Sequence, residues 1–191
     1  MKIGILALQG DFELHSRMLT ALGMDTIYVR KPDQLSYCRG LIIPGGESTT
    51  LMKLMRGGGL FESISDFAAD KPVFGTCAGL IMLATDLVND NLETLGLIDL
   101  SVERNAYGRQ INSFIDSVEI RINEKLDSFE GIFIRAPRIV AVGEGIDILG
   151  THGGDVVLAE NDQVFVAAFH PELTNDVRIH QYFVDKIRKS R

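Results

Sequence analysis

The chain has 191 residues, 46% of them hydrophobic and 24% charged, a balance that excludes general disorder and fits about one domain with its own core. Acidic residues number 26 against 19 basic ones, a net charge of −7, so no cationic surplus exists for nucleic acid or an anionic membrane. Two cysteines, Cys38 and Cys77, are too few for a disulfide framework or a four-ligand zinc site, and each is read singly.

The predicted elements alternate. Residues 3–8 form an apolar strand, too short for a signal-peptide core or a membrane span. No other run approaches membrane length, so a cytoplasmic location with reduced thiols is expected. An amphipathic helix follows over 11–22, with Leu14, Met18, Leu19 and Leu22 at helical spacing and Gly23 ending it. Short strands are expected at 26–29 and 40–43, helices at 48–55 and 60–68, a strand at 72–74 and a helix at 78–84. These strands are apolar without alternation, as in a parallel sheet covered on both faces. The first half therefore reads as an open, doubly wound α/β sheet. The second half is β-rich and antiparallel in part, with strands expected at 97–103, 117–122, 131–134, 139–142, 146–149, 156–159 and 164–169. A helix over 174–187 closes the pattern. No linker or repeat interrupts it, so residues 1–191 are expected to form one domain. Strand order is not legible at this level.

Three stretches carry chemistry. Residues 72–79, PVFGTCAG, pass from strand through G-x-C-x-G into helix. That is the layout of a nucleophile elbow with cysteine in place of serine. The helix after it aims free N–H groups and its positive dipole end at the Cys77 thiol, which favours the thiolate. The Ala78 N–H is placed to donate to a developing oxyanion. A buried small side chain in a plain turn is the competing reading, weakened by both glycines and the strand–helix junction. Cys38 has no such context and reads as buried filler.

The second stretch is His170-Pro171-Glu172, directly after an apolar strand. In extended backbone, residues i and i+2 point the same way, so His170 and Glu172 share a face. A carboxylate there orients the imidazole and supports its charged form. A thiol is activated by such an imidazole. A polar turn is the alternative. His15 and His180 fall in helix patterns, and His152 lies in a glycine-rich turn. The third stretch, Pro44 to Thr50 as PGGESTT, exposes backbone N–H groups between strand and helix. It reads as a seat for phosphate or an oxyanion, or as a helix start capped by Ser48 or Thr49. It is neither a Walker A loop nor a dinucleotide fingerprint.

The G-x-C-x-G elbow with H-P-E downstream resembles the class I (triad) glutamine amidotransferases. LQG at 8–10, PGGESTT at 44–50, GTCAGL at 75–80, VERNAYGRQ at 102–110, FIRAP at 133–137 and FHPELT at 169–174 narrow the resemblance to the glutaminase subunits of pyridoxal 5′-phosphate synthase. It spans nearly the whole chain. Ile115 departs from the acid usual after Asn112-Ser113-Phe114.

The resemblance implies a class I glutamine amidotransferase-like, flavodoxin-like fold and hydrolysis of L-glutamine to L-glutamate and ammonia. Cys77 would be the nucleophile, His170 the base and Glu172 its orienter. Gly46 and Ala78 would form the oxyanion hole. Gly46, Glu47, Ser48, Arg104, Ile134 and Arg135 would hold glutamine, the two arginines being apt for its carboxylate. Gln9 would order the oxyanion loop. No cofactor or metal is implied. The ammonia would go to a (β/α)₈-barrel synthase subunit that makes pyridoxal 5′-phosphate. Another cysteine hydrolase and a silent regulatory module are the rival classes. PGGESTT with ERNAYGRQ disfavours the first, and the intact Cys–His–Glu set disfavours the second. Residues 57–59, a triple glycine, read as a surface turn or as part of a docking face.

Overall fold

The computed structural model describes residues 1–104 and 113–190. Most of the ERNAYGRQ stretch and Asn112 therefore lie outside the described residues. In chain order the strands are β1 (Lys2–Leu6), β2 (Asp25–Val29), β3 (Leu41–Ile43), β4 (Val73–Thr76), β5 (Ala84–Leu87), β6 (Ile98–Glu103), β7 (Ser113–Ile122), β8 (Lys125–Ile134), β9 (Arg138–Val142), β10 (Asp147–His152), β11 (Asp155–Glu160) and β12 (Val164–Ala167). The helices are α1 (Phe12–Ala21), α2 (Ser48–Gly57), α3 (Leu60–Ala68), α4 (Ala78–Leu83) and α5 (Arg178–Lys189), with short 3-10 turns at Pro32–Tyr37 and Pro171–Leu173. No described helix is long and apolar enough to cross a membrane.

Nine strands make the main sheet, in the order β2-β1-β3-β4-β12-β11-β10-β7-β8. The first five are parallel neighbours. Their order is that of a flavodoxin-like doubly wound sheet. From β12 onward every pairing is antiparallel. The last strand in the chain to join the sheet, β12, thus sits near its middle. It pairs with β4 so that Val166 lies opposite Gly75 and Ala167 opposite Thr76.

Alternation along β4 shows that both faces are covered. Phe74 points to one face and stacks on Phe165, ring centroids 4.6 Å apart, with Phe183 of α5 at 5.5 Å. Gly75 points to the other, where a Cβ would lie 2.5 Å from Leu83 of α4. α4 comes this close to the sheet because Gly79 has no side chain: a Cβ there would lie 2.0 Å from the Ile43 carbonyl oxygen.

Several boundaries depart from the sequence reading. Helical spacing extends through Ala84, but α4 stops at Leu83 and Ala84 turns extended, φ −63° and ψ 151°. It opens β5, which joins β6 and β9 in a separate three-stranded sheet. The whole of α4 is buried, so no polar face marks its end. β7 and β8 start earlier than expected and form a long hairpin, turning at Asn123 and Glu124 with φ of 51° and 64°. Most of residues 125–130 are exposed, which erases the alternation that would reveal a strand. The closing helix starts at Arg178, not at 174. The Thr174 hydroxyl instead accepts from the Asp176 N–H at 3.1 Å and holds a loop.

Gly79→Ala should cost about 3 kcal/mol through overpacking against β3. Urea unfolding measures it, and an unchanged midpoint would contradict the close approach.

Candidate active site

Because β1, β3, β4 and β12 run parallel, their C-terminal ends lie along one edge of the sheet. In open α/β sheets this edge is where ligands bind. The loops leaving those four strands carry Gln9 and Asp11, then Gly45 to Ser48, then Cys77, then His170. A cavity of about 250 Å³ opens among them, a size suited to an amino acid. Of the residues expected at the site, Gly46, Glu47, Ser48, Cys77, Arg104, Ile134, Arg135 and His170 line it. Ala78, Glu172 and Gln9 stand behind this lining. Asp11 and Ile81 also line it and were not anticipated. Asp11 reads in the sequence only as a helix start, and Ile81 only as an apolar helix position.

Cys77 occupies the elbow between β4 and α4 with φ 49° and ψ −102°, a backbone region few side chains adopt. Its N–H donates to the Ala167 carbonyl of β12 at 2.9 Å. The turn is thus locked to the strand that delivers His170. The thiol is buried at 6% exposure and points toward the Ile134 carbonyl, 3.9 Å away. Cys38 is buried elsewhere, with its thiol donating to the Gln34 carbonyl at 3.4 Å. Burial raises its pKa against the opposing pull of Lys71 and Lys2, which leaves it unreactive.

His170 follows β12, and its N–H donates to the Ile132 carbonyl of β8 at 2.8 Å. Nδ1 of the ring meets Glu172 Oε1 at 2.8 Å, both side chains buried. Nε2 is also buried and makes no hydrogen bond of ordinary geometry. Burial disfavours charge on the ring, but its interactions with Cys77 and Glu172 outweigh that and raise its pKa. Burial likewise opposes ionisation of Glu172. His15 and His170 on either side prevail, and its pKa falls. The pair therefore rests as imidazolium and carboxylate. Asp11, His170 and Glu172 offer ligand atoms within 4.8 Å of one another, and the His170–Glu172 hydrogen bond uses one such atom of each of those two.

The loop after β3 is braced by two side chains. The Gln9 amide donates to the Glu47 carbonyl at 3.1 Å and accepts from the Glu47 N–H at 3.2 Å. The Gly45 N–H donates to the Thr76 hydroxyl at 3.1 Å. Gly46 between them has φ +147°, where a Cβ would lie 2.4 Å from Gln9 Nε2. Glycine is required there for both reasons. The cap of α2 is Glu47, not Ser48 or Thr49: its carboxylate accepts from the Thr49 N–H at 3.0 Å and the Thr50 N–H at 2.7 Å. The Thr50 hydroxyl is the main cause that holds this carboxyl at a pKa of about 2. Arg104 reaches into the cavity while paired with Asp90 at 2.5 Å and with Glu47 at 3.7 Å. Arg135 stands opposite with φ 43°, a second strained backbone at the same cavity.

The sheet order and the cysteine at its elbow define the class I glutamine amidotransferase fold. A solved glutamine amidotransferase structure superimposes with a TM-score of 0.92 at 43% identity, covering 97% of this chain and 98% of that one. The model of the SNO glutamine amidotransferase family matches residues 5–189. The pyridoxal 5′-phosphate synthase subunit PdxT of Thermosipho africanus is 48% identical over 190 residues, 99% of this chain and 100% of that protein. The PdxT of Desulforamulus reducens is 52% identical over 190 residues, 98% of this chain and all of that protein. The chain belongs to the SNO glutamine amidotransferase family.

A pH dependence follows from two more histidines. His15 and His180 are fully buried, and burial lowers both pKa values, that of His180 to about 3. An unfolded histidine takes up its proton near pH 6.5. The stability these two groups contribute is therefore present above that pH and lost as pH falls below it, by about 2 kcal/mol at pH 5 for His180, with His15 adding a loss of the same sign. Calorimetry should find a lower Tm at pH 5 than at pH 7, before Glu172 begins to protonate; equal values would contradict neutral buried imidazoles.

Proposed function

We propose that this chain hydrolyses L-glutamine to L-glutamate and ammonia and passes the ammonia to a synthase subunit that makes pyridoxal 5′-phosphate. The observation that carries the reading is the meeting of Cys77 and the His170–Glu172 pair at the ends of adjacent parallel strands, β4 and β12, beside one small cavity. The Cys77 thiolate attacks the side-chain amide carbon. N–H groups of Gly46 and Ala78 stabilise the oxyanion. The His170 imidazolium gives its proton to the departing nitrogen, and ammonia leaves a thioester on Cys77. His170, now neutral, takes a proton from water. The hydroxide released at that moment attacks the thioester, glutamate departs, and the proton on His170 restores the starting pair. Glu172 keeps the ring oriented and stabilises its charge throughout.

Arg104 and Arg135 bind the glutamine α-carboxylate, with Glu47, Ser48 and Ile134 shaping the pocket. Their common position around the cavity supports these roles. The hydrogen bonds from Gln9 to both backbone groups of Glu47 support its role in ordering the oxyanion loop. The chemistry proposed needs no cofactor. Ammonia set free in water would be protonated and lost, so its consumer is a docked partner, a (β/α)₈-barrel synthase subunit by family resemblance. A cytoplasmic setting, which keeps Cys77 reduced, belongs to the same reading, as does the organisation of the 191 residues as one glutaminase domain.

The test is ammonia release from glutamine with and without the synthase subunit. Cys77→Ala should lower kcat by ~10⁴-fold or more, and unchanged turnover would remove Cys77 as nucleophile. A glutamine-like electrophile should label Cys77 and spare Cys38, read by peptide mass spectrometry. Arg135→Ala should raise KM by about 10-fold or more through the lost charged hydrogen bond. The lone chain should be nearly inactive, because a loop built on Gly45-Gly46 can rest with its peptide turned away from the oxyanion. Full turnover without the partner would overturn that point.

A further inference from the structure

Behind the triad lies a polar cluster that the glutamine reaction leaves unexplained. His15 of α1, Thr76 of β4 and His180 of α5 are all at 0% exposure. Polar groups so deep persist when they are hydrogen-bonded. His15 Nδ1 lies 2.9 Å from His180 Nε2, and His15 Nε2 lies 3.3 Å from the Thr76 hydroxyl. The same Nε2 is 3.5 Å from Glu172 Oε2, the carboxylate oxygen that His170 does not take.

Two proton arrangements are available to a pair of neutral imidazoles. In one, His180 Nε2–H donates to a bare His15 Nδ1, and His15 Nε2–H points at Glu172 Oε2 and the Thr76 oxygen. The cluster atoms then left without a hydrogen bond are two acceptors, His180 Nδ1 and Glu172 Oε2, and the His15 Nε2–H meets Oε2 only as an electrostatic contact at 3.5 Å. In the other, His15 Nδ1–H donates to His180. The His15 Nε2 lone pair then accepts from the Thr76 hydroxyl but also faces the carboxylate 3.5 Å away, and His180 Nδ1–H becomes a buried donor with no acceptor. Orphaned buried N–H groups are rarer than under-used acceptors, and a lone pair aimed at an anion is repulsive. The first arrangement satisfies both constraints.

We infer that His15 is a positioning residue for the proposed reaction, its Nε2–H facing Oε2 of Glu172 across 3.5 Å while His170 holds Oε1 by a hydrogen bond. The inference rests on the triad reading above. His180 fixes the tautomer of His15, His15 fixes the plane of Glu172, and Glu172 fixes His170. The Thr76 hydroxyl joins the same imidazole to Gly45 of the oxyanion loop. His15 does not line the cavity, so it acts only through its neighbours.

Two experiments decide it. Nitrogen-15 NMR of the wild-type chain labelled in histidine should show His15 protonated at Nε2 and bare at Nδ1 at neutral pH; the opposite tautomer overturns the inference. In the complex with the synthase subunit, His15→Asn keeps an amide but not a donor at the Nε2 position. It should lower kcat by about 10–100-fold, as loss of an orienting partner does elsewhere, with KM for glutamine little changed. His15→Gln, whose amide nitrogen reaches the Nε2 position, should recover most of that loss. Equal activity of the two variants, or a loss expressed in KM, overturns the inference. If either variant fails to fold, the wild-type tautomer still decides. Failure of the triad reading would show separately, as turnover that survives Cys77→Ala.

Discussion

Glu172 carries a negative charge into the interior at 3% exposure, and that charge has to be met by donors. An uncompensated buried carboxylate costs several kcal/mol or neutralises itself by taking a proton. Here the compensation comes from two imidazoles on different elements, His170 after β12 and His15 on α1. Each draws α1 and the end of β12 toward the same point. The carboxylate thus does for this edge of the molecule what an apolar core does for the rest. It specifies which elements meet, and it leaves His170 charged beside Cys77.

The parallel register does the remaining placement. β4 and β12 are neighbours with their residues in step, and Cys77 is tied by its own N–H to Ala167. A thiol one residue past β4 and an imidazole three residues past β12 are therefore held by sheet hydrogen bonds, not by flexible loops. The loop after β3 is braced by Gln9 and Thr76 from either side, with Gly46 between them at φ +147°. A braced elbow beside a glycine-bearing loop suits the proposed chemistry, in which turnover waits for a partner.

The parts of the site legible in the sequence are the ones encoded locally. G-x-C-x-G states its geometry within a few residues, and the apolar strands announce a covered parallel sheet. H-P-E does pair its imidazole and carboxylate, but through a 3-10 turn at Pro171–Leu173 and not the extended backbone expected, since β12 ends at Ala167. What was illegible depends on pairing across the chain. Nothing local says that residues 84–87 leave the helix pattern to join β6, or that the second half divides between two sheets. His15 and His180 looked like ordinary helix positions, because their meaning arises only where α1 and α5 cross over Thr76 and Glu172. Glu47 capping α2 was hidden by Ser48 and Thr49, which are stronger cap formers by type and sit one and two residues later. Asp11 at the cavity mouth gives no signal apart from its role in starting α1.

β12 is the last of the described strands in chain order and one of the most central. While this chain is being synthesised, β3 and β4 can pair and pack their helices, yet the far edge of β4 stays open until residues 164–167 have emerged. That edge carries Val73 and Phe74, both fully buried in the finished sheet, and an open apolar strand invites pairing with other chains. Closing the gap requires contacts between distant parts of the sequence, which form slowly. The same order of events is protective for the thiol. His170 and Glu172 arrive with the strand that seals the core, so a half-folded chain holds Cys77 without its imidazole, and the proposed nucleophile is armed only once β12 is in place.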